Sequence, residues 1–80
     1  MNNWTEINNK LQKEFQFENF LQALDFANKV GDIAEKSQHH PDILIHSYNK
    51  VLIQTQTHDQ GHIVTQKDHD LANLIDNINA

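Results

Sequence analysis

The residues of this chain that are best suited to chemistry are a contiguous His39-His40-Pro41 triplet and, further along, His58 and Asp68. An imidazole has an unperturbed pKa of about 6.5, so near neutral pH it gives or takes a proton at little cost in free energy. Imidazole nitrogens are also common ligands for zinc. The pattern therefore indicates either general acid–base chemistry or a metal site.

The argument for zinc is the number of histidines in so short a chain: His39, His40, His46, His58, His62 and His69. The interval between His58 and His62 is one that zinc ligands use. However, the chain has no cysteine, no His-Glu-x-x-His segment and no second pair of ligands at helical spacing. We therefore expect no metal site, and a zinc-binding protein is kept as an alternative.

Each candidate residue also has a purely structural explanation. A His-His-Pro triplet can be a solvent-facing helix end, where imidazolium suits the negative end of the helix dipole. Asp68 ends the segment Thr65-Gln66-Lys67-Asp68, which has the spacing of a capping box. Tyr48 is typical of a packing residue, and Glu35 of a solvated helix face. None of these residues alone predicts an enzyme.

The composition describes one globular domain over residues 1–80, with 38% hydrophobic and 21% charged residues. A chain this short builds only a small core, so we expect it to form oligomers. A net charge of −5 with six Lys and Arg argues against a nucleic-acid partner. We find no basic leader and no run of about 18 apolar residues, which predicts a cytoplasmic protein without a membrane span.

The N-terminal part has the pattern of a β-hairpin. Apolar and polar residues alternate over residues 11–17, which predicts a half-buried strand with Leu11 and Phe15 on its apolar face. Residues 4–7 are a candidate partner strand. The Asn8-Asn9-Lys10 segment between them has the composition of a tight hairpin turn.

A helix is predicted over residues 19 to 38, where apolar residues recur every three or four positions. Gly31 within it costs about 1 kcal/mol relative to alanine, and we interpret it as a point of close approach to a neighbouring element. Pro41 pushes the residue before it out of helical backbone. His39 and His40 are therefore expected at the exit of the helix.

A further strand is predicted over residues 48–58. The residues on its core face are Val51, Ile53, Thr55 and Thr57. Tyr48 and His58 would point to one side of this strand, but a straight strand holds them about 33 Å apart. A pocket that used both would need a partner chain, and otherwise only one of them lies in it.

A last helix should begin at Thr65, where the capping box precedes apolar residues at helical spacing. The order strand, strand, helix, strand, helix favours a two-layer α+β fold with helices on one side of an antiparallel sheet. The other face of the sheet is then expected to be available for a ligand.

Together these residues resemble the pattern of the pterin-4a-carbinolamine dehydratase family. The family pattern is an acidic or basic residue, three positions, His-His-Pro, a short gap, an aromatic residue, nine positions, a histidine, a gap and an aspartate. These places are filled in order by Glu35, His39, His40, Pro41, Tyr48, His58 and Asp68. The flanking segments that also look like this family are Phe15-Gln16-Phe17, Tyr48-Asn49-Lys50-Val51, Thr57-His58-Asp59 and Asp68-His69-Asp70-Leu71-Ala72. The likeness covers nearly the whole chain from Trp4 onward.

The resemblance implies a dehydratase that removes water from a 4a-hydroxy-tetrahydropterin to give quinonoid dihydropterin, in the recycling of tetrahydrobiopterin and without any cofactor. It implies catalytic roles for His39, His40 and His58. Substrate-binding roles are implied for Glu35, Pro41, Tyr48 and Asp68. The implied fold has a four-stranded antiparallel sheet with helices on one face, and the implied assembly is a homodimer or homotetramer formed through the sheet.

An interaction module is the alternative from a different class. Some animal relatives in the resembled family act as a dimerisation cofactor for a homeodomain transcription factor. No residue of this chain argues for that role, and a pure binding module has no need of the histidine set. Pterin turnover is therefore the property that separates the two interpretations.

Overall fold

The structure, a computed structural model, describes residues 3–79, apart from the side chains of Gln60 and Asn79. Four strands and two α-helices are present in this part of the chain. In chain order they are β1 (Thr5–Ile7), β2 (Lys10–Gln16), α1 (Phe20–Ser37), β3 (Asp42–His46), β4 (Lys50–Thr55) and α2 (Gln66–Asp76). Short 3₁₀ turns follow β4 at His58–Gln60 and α2 at Asn77–Asn79.

The strands form one sheet in the order β1-β2-β4-β3, and every neighbouring pair is antiparallel. Asn8 and Asn9 join β1 to β2 with φ angles of 52° and 63°. Asparagine adopts this left-handed backbone more readily than most residues, which is why the pair makes a tight turn between two strands. The predicted hairpin is confirmed, with its first strand beginning at Thr5.

The predicted helix is confirmed as α1, and both of its ends have identifiable caps. The Asn19 side chain accepts a hydrogen bond of 2.9 Å from the Gln22 amide at the start. Gln38 takes a left-handed conformation at the end, with φ at 53°. The interpretation of Gly31 is wrong, because a Cβ built there meets no atom within 4 Å beyond the helix's own backbone.

The strand prediction over residues 48–58 was too long, since β4 runs only over Lys50–Thr55. The extra strand β3 precedes it and pairs along its whole length with β4. A tight turn must therefore reverse the chain between them, and Tyr48 lies in that turn with a φ of 55°. With β3, the sheet has the four strands that the family resemblance implied.

Both helices pack against one face of the sheet. The side chains in this core are Phe15, Ala23, Phe26, Val30, Val51, Ile53, Leu71 and Ile75. Polar residues of β2 and β4, such as Gln12 and Gln54, occupy the opposite face and bond to each other at 2.8 Å. The two-layer α+β architecture is confirmed. Within residues 3–79, neither helix has the length and apolar character that a membrane crossing requires.

Candidate active site

The His-His-Pro triplet leaves α1 at the point where the chain turns toward the sheet. The His39 amide still donates a hydrogen bond of 3.2 Å to the Ala34 carbonyl, so the triplet's backbone is tied to the helix end. Adjacent residues on irregular backbone project in different directions. The His39 side chain is turned inward, with 13% of it exposed, whereas the side chain of His40 is 56% exposed.

The three histidines of the motif line one open cleft with a volume of about 320 Å³. The residues around it are Gln38, His39, His40, His58, Asp59 and Lys67. They come from the end of α1, the turn after β4 and the start of α2. The cleft is thus built beside the helices, and none of its residues lies on the outer face of the sheet, where ligand binding was expected.

Asp68 lies behind the cleft and is fully buried. Its Oδ1 atom is 2.6 Å from Nε2 of His39 and accepts a second hydrogen bond, also of 2.6 Å, from the Thr55 hydroxyl. Its Oδ2 atom accepts from the Thr57 hydroxyl and from the Thr65 amide, each at 2.9 Å. Asp68 therefore closes the predicted capping box of α2 and at the same time contacts His39.

The surroundings of Asp68 favour its ionised form. Burial by itself raises the pKa of this carboxyl, because a charge is costly away from water. The hydrogen bonds from Thr55, His39, the Thr65 backbone and Thr57 lower the pKa by more, so the net pKa lies below its ordinary value. A buried negative charge is consequently held next to the imidazole of His39.

His40 has a carboxylate partner as well, but an exposed one. Its Nε2 atom is 2.6 Å from Oε2 of Glu35, one turn back in α1. Both side chains are more than half exposed, so solvent screens the pair. His39 and His40 therefore have different surroundings, one beside a buried charge and the other beside a hydrated charge.

His58 enters the cleft from the 3₁₀ turn that follows Thr57. Its ring meets the ring of His62 edge to face, with centroids 4.9 Å apart and planes at 82°. His62 has a φ of 60°, a backbone conformation that glycine adopts more easily. The His62 ring thus forms one wall that limits how the His58 ring can turn.

Tyr48 and Pro41 do not line the cleft in this chain. Tyr48 is 63% exposed in the β3–β4 turn, and β4 alone separates it from the His58 side by roughly 20 Å at about 3.3 Å per residue. Pro41 is half-buried just before β3. The substrate-binding roles assigned to Tyr48 and Pro41 stay predictions, and for Tyr48 such a role requires a second chain.

The histidines do not form a cluster of three potential metal ligands within residues 3–79. Among the residues that the structure describes, no three His, Asp or Glu side chains stand close enough together to hold a metal ion. His58 and His62, whose spacing resembles that of zinc ligands, instead pack with their rings edge to face.

Sequence reasoning missed several residues of this region. Thr55 and Thr57 were placed on the core face of their strand, but their bonds to Asp68 were not foreseen. The available signal was that a buried hydroxyl needs a hydrogen-bond partner. Asp59 and Lys67 also line the cleft, and nothing in their spacing singled them out.

Comparison with known proteins gives one consistent family. The sequence profile of the family described as Pterin 4 alpha carbinolamine dehydratase matches residues 1–78. A relative from Picosynechococcus sp. is 51% identical over 75 residues, which are 94% of this chain and 79% of the relative. A relative from Sulfolobus acidocaldarius is 43% identical over 75 residues, or 94% of this chain and 80% of the relative. Both bear the provisional name pterin-4-alpha-carbinolamine dehydratase.

Solved structures with the same architecture extend this result. A crystal structure described as a transcriptional coactivator/pterin dehydratase from Brucella melitensis superimposes with a TM-score of 0.84 at 28% identity, over 94% of this chain and 80% of that one. A pterin dehydratase-like protein, described as a RuBisCO assembly factor in the alpha-carboxysome, has a TM-score of 0.74 at 22% identity, over 91% and 84%. The second likeness concerns the fold alone. On the profile match and the sequence identities, the chain belongs to the pterin-4a-carbinolamine dehydratase family.

Proposed function

We propose that the protein dehydrates a 4a-hydroxy-tetrahydropterin to a quinonoid dihydropterin. The observation that carries the proposal is the cleft that His39, His40 and His58 line together. Family membership supplies the reaction class, and the three imidazoles supply groups that exchange protons near neutral pH. The reaction belongs to the recycling of tetrahydrobiopterin and needs no cofactor.

The reaction requires two proton transfers on neighbouring atoms of the pterin. One group takes the proton from N5, and the electron pair of that N–H bond forms the C4a=N5 double bond. A second group gives a proton to the hydroxyl on C4a, whose C–O bond breaks to release water. Each transfer made by a positioned side chain contributes roughly 10²- to 10⁴-fold in rate.

His39 and His58 are the proposed pair for these two transfers. The negative charge of Asp68 lies 2.6 Å from His39, and it stabilises the imidazolium that forms when His39 takes the N5 proton. His58 then gives its proton to the leaving hydroxyl. The first step needs a base and the second an acid, so the two imidazoles begin the cycle in different protonation states.

His40 is proposed to position the pterin. Its pairing with Glu35 directs the ring at the cleft rim while leaving it hydrated. Glu35 and Asp68 support the site through these two histidines. Pro41 fixes the backbone of the triplet, and Tyr48 reaches a site only if a second chain brings it there, which accords with the proposed homodimer or homotetramer.

The test is dehydration of chemically generated 4a-hydroxy-tetrahydropterin at neutral pH, followed by its ultraviolet change. We expect the protein to accelerate the reaction and His39→Ala to weaken that acceleration. His69→Ala is a matched control, since His69 is exposed on α2 and does not line the cleft. Folded protein that leaves the uncatalysed rate unchanged would refute the proposal.

An interaction module without turnover is the second candidate. The Brucella protein is described as a transcriptional coactivator/pterin dehydratase, which gives this option a basis. The start of α1 also presents apolar side chains, with Leu21 75% exposed and Phe20 48% exposed. Capture of a helical partner by a protein that does not turn over pterin would favour this second function, and loss of capture in Leu21→Glu would assign the surface.

A further inference from the structure

The carboxylate of Asp68 has its full set of hydrogen-bond donors. An ionised carboxylate accepts about four hydrogen bonds, and Asp68 receives two on each oxygen. The Thr65 partner is a backbone N–H, which can only donate. A protonated Asp68 would have to give up one of these bonds, since its own proton would then need an acceptor.

The hydrogen bonds behind Asp68 run in one direction. The Lys67 amide donates to Oγ1 of Thr65 at 3.3 Å, and the two hydroxyls of Thr65 and Thr57 lie 2.6 Å apart. The Thr57 proton is directed at Oδ2 of Asp68. The Thr65 hydroxyl must therefore donate to the Thr57 hydroxyl. Each hydrogen bond in this series is thus donated in the direction of the carboxylate.

The same reasoning selects the tautomer of neutral His39. A bare Nε2 facing Oδ1 of Asp68 would place two lone pairs 2.6 Å apart. The neutral imidazole therefore carries its proton on Nε2 and donates it to the carboxylate. Its Nδ1 atom keeps the free lone pair, and it forms no hydrogen bond with any of the residues that the structure describes.

We infer that Thr55 and Thr57 are positioning residues that act through Asp68 to hold His39 in its Nε2–H form, so that Nδ1 is the atom that takes the N5 proton. The inference rests on the proposed dehydratase function for its last step only. The Thr55 hydroxyl donates to Oδ1, the oxygen that contacts His39. The Thr57 hydroxyl donates to Oδ2 and is oriented by the hydrogen bonds that lead to it from the start of α2. Neither threonine lines the cleft.

The first test is the tautomer of His39 in the unmodified protein. Long-range ¹H–¹⁵N correlation spectra at pH about 8, where an unperturbed imidazole is mostly neutral, separate Nε2–H from Nδ1–H rings, and the His39→Gln spectrum assigns the signal. We expect the Nε2–H form. A predominant Nδ1–H form would overturn the inference whatever the enzyme activity. The measurement needs no substrate, so it stands apart from the proposed function.

The second test removes the threonine hydroxyls. We expect Thr55→Val to lower kcat about tenfold, or about 1.4 kcal/mol in activation free energy, with KM changed less than about twofold. The minor His39 tautomer should become measurable in the same variant. Thr55→Ser keeps the hydroxyl and should restore both properties. An unchanged kcat and an unchanged His39 spectrum in Thr55→Val would remove the threonines from the mechanism.

Ile53→Val is the matched control, because Ile53 is fully buried on the same face of β4 and its loss of a methyl group removes no donor. It should lower stability without altering the His39 signal or kcat. If Ile53→Val changed the His39 signal and kcat as Thr55→Val does, the effect of Thr55→Val would be explained by general loosening of the strand. If wild-type protein shows the Nε2–H tautomer but no turnover, the proposed reaction fails while the positioning of His39 by Asp68 stands.

Discussion

Nε2 of His39 lies 2.6 Å from Oδ1 of Asp68, although 29 positions separate the two residues in the sequence. One residue follows the end of α1, and the other lies in the first turn of α2. Packing of both helices on one sheet face brings these two ends together. The candidate site is thus a product of tertiary structure, although its residues form a recognisable linear pattern.

Asp68→Ala should lower the free energy of unfolding by about 2–4 kcal/mol, because it removes a helix cap and leaves buried donors without an acceptor. Urea unfolding followed by circular dichroism measures this change. Asp70→Ala is the control, since Asp70 is exposed and accepts one bond, from Gln66, at 3.0 Å. Equal losses in the two variants would contradict a special role for the buried carboxylate.

The contribution of Asp68 to stability should depend on pH with a definite sign. Because its pKa is lowered on folding, the contribution is complete above the unfolded-state pKa of about 3.9 and is lost as pH falls through the lower folded-state pKa. The difference in unfolding free energy between wild type and Asp68→Asn should therefore be constant near neutral pH and shrink under acid conditions. A difference that stayed the same down to the acid transition would show that folding does not lower the pKa of Asp68.

The three histidines of the cleft should differ in their kinetic effects. We expect His39→Ala and His58→Ala each to lower kcat by roughly 10²- to 10⁴-fold, because each removes a proton-transfer group. His40→Ala should act mainly on KM, since His40 is placed to position the substrate. Steady-state rates over a range of pterin concentrations separate the two effects. A larger loss of kcat in His40→Ala than in His39→Ala would reverse this assignment.

Gly31→Ala should stabilise the protein by about 0.5–1 kcal/mol, because Gly31 lies inside α1 and an added Cβ meets no neighbour within 4 Å. Gly61→Ala should do the opposite, by about 1–2 kcal/mol, since Gly61 has a φ of 85° that an L side chain rarely adopts. Thermal and urea unfolding of this pair provide the comparison. A destabilised Gly31→Ala protein would mean that Gly31 meets a neighbour, such as a second chain, in solution.

Local rules of sequence predicted those elements whose signals lie within a few residues. The turn at Asn8 and Asn9, the helix α1 and the capping box at Thr65 and Asp68 each follow from residue types at positions no more than four apart. The strand β3 was missed because Ile43, Leu44 and Ile45 form a continuous apolar run with no alternation. Its position at the edge of the sheet leaves much of that run exposed.

Sequence analysis selected three of the residues that line the cleft, but not the contacts that connect the site. His39, His40 and His58 were selected by their types and spacing, and the structure places all three around one cleft. The bond between His39 and Asp68, and the bonds of Thr55 and Thr57 to the same carboxylate, depend on how α2 meets the end of β4. The spacing of these residues along the sequence does not show how α2 packs against the end of β4.

Asp68 both caps α2 and contacts His39, so the stability of the helix and the candidate site depend on the same carboxylate. The first turn of α2 opens only if the Thr65 amide leaves Asp68, and that opening also frees His39. Warming should therefore extinguish turnover at the temperature where this single turn frays, below the temperature at which the sheet melts. Substitution at position 68 is constrained by both contacts. A residue that only capped α2 would leave the His39 imidazole without its carboxylate partner.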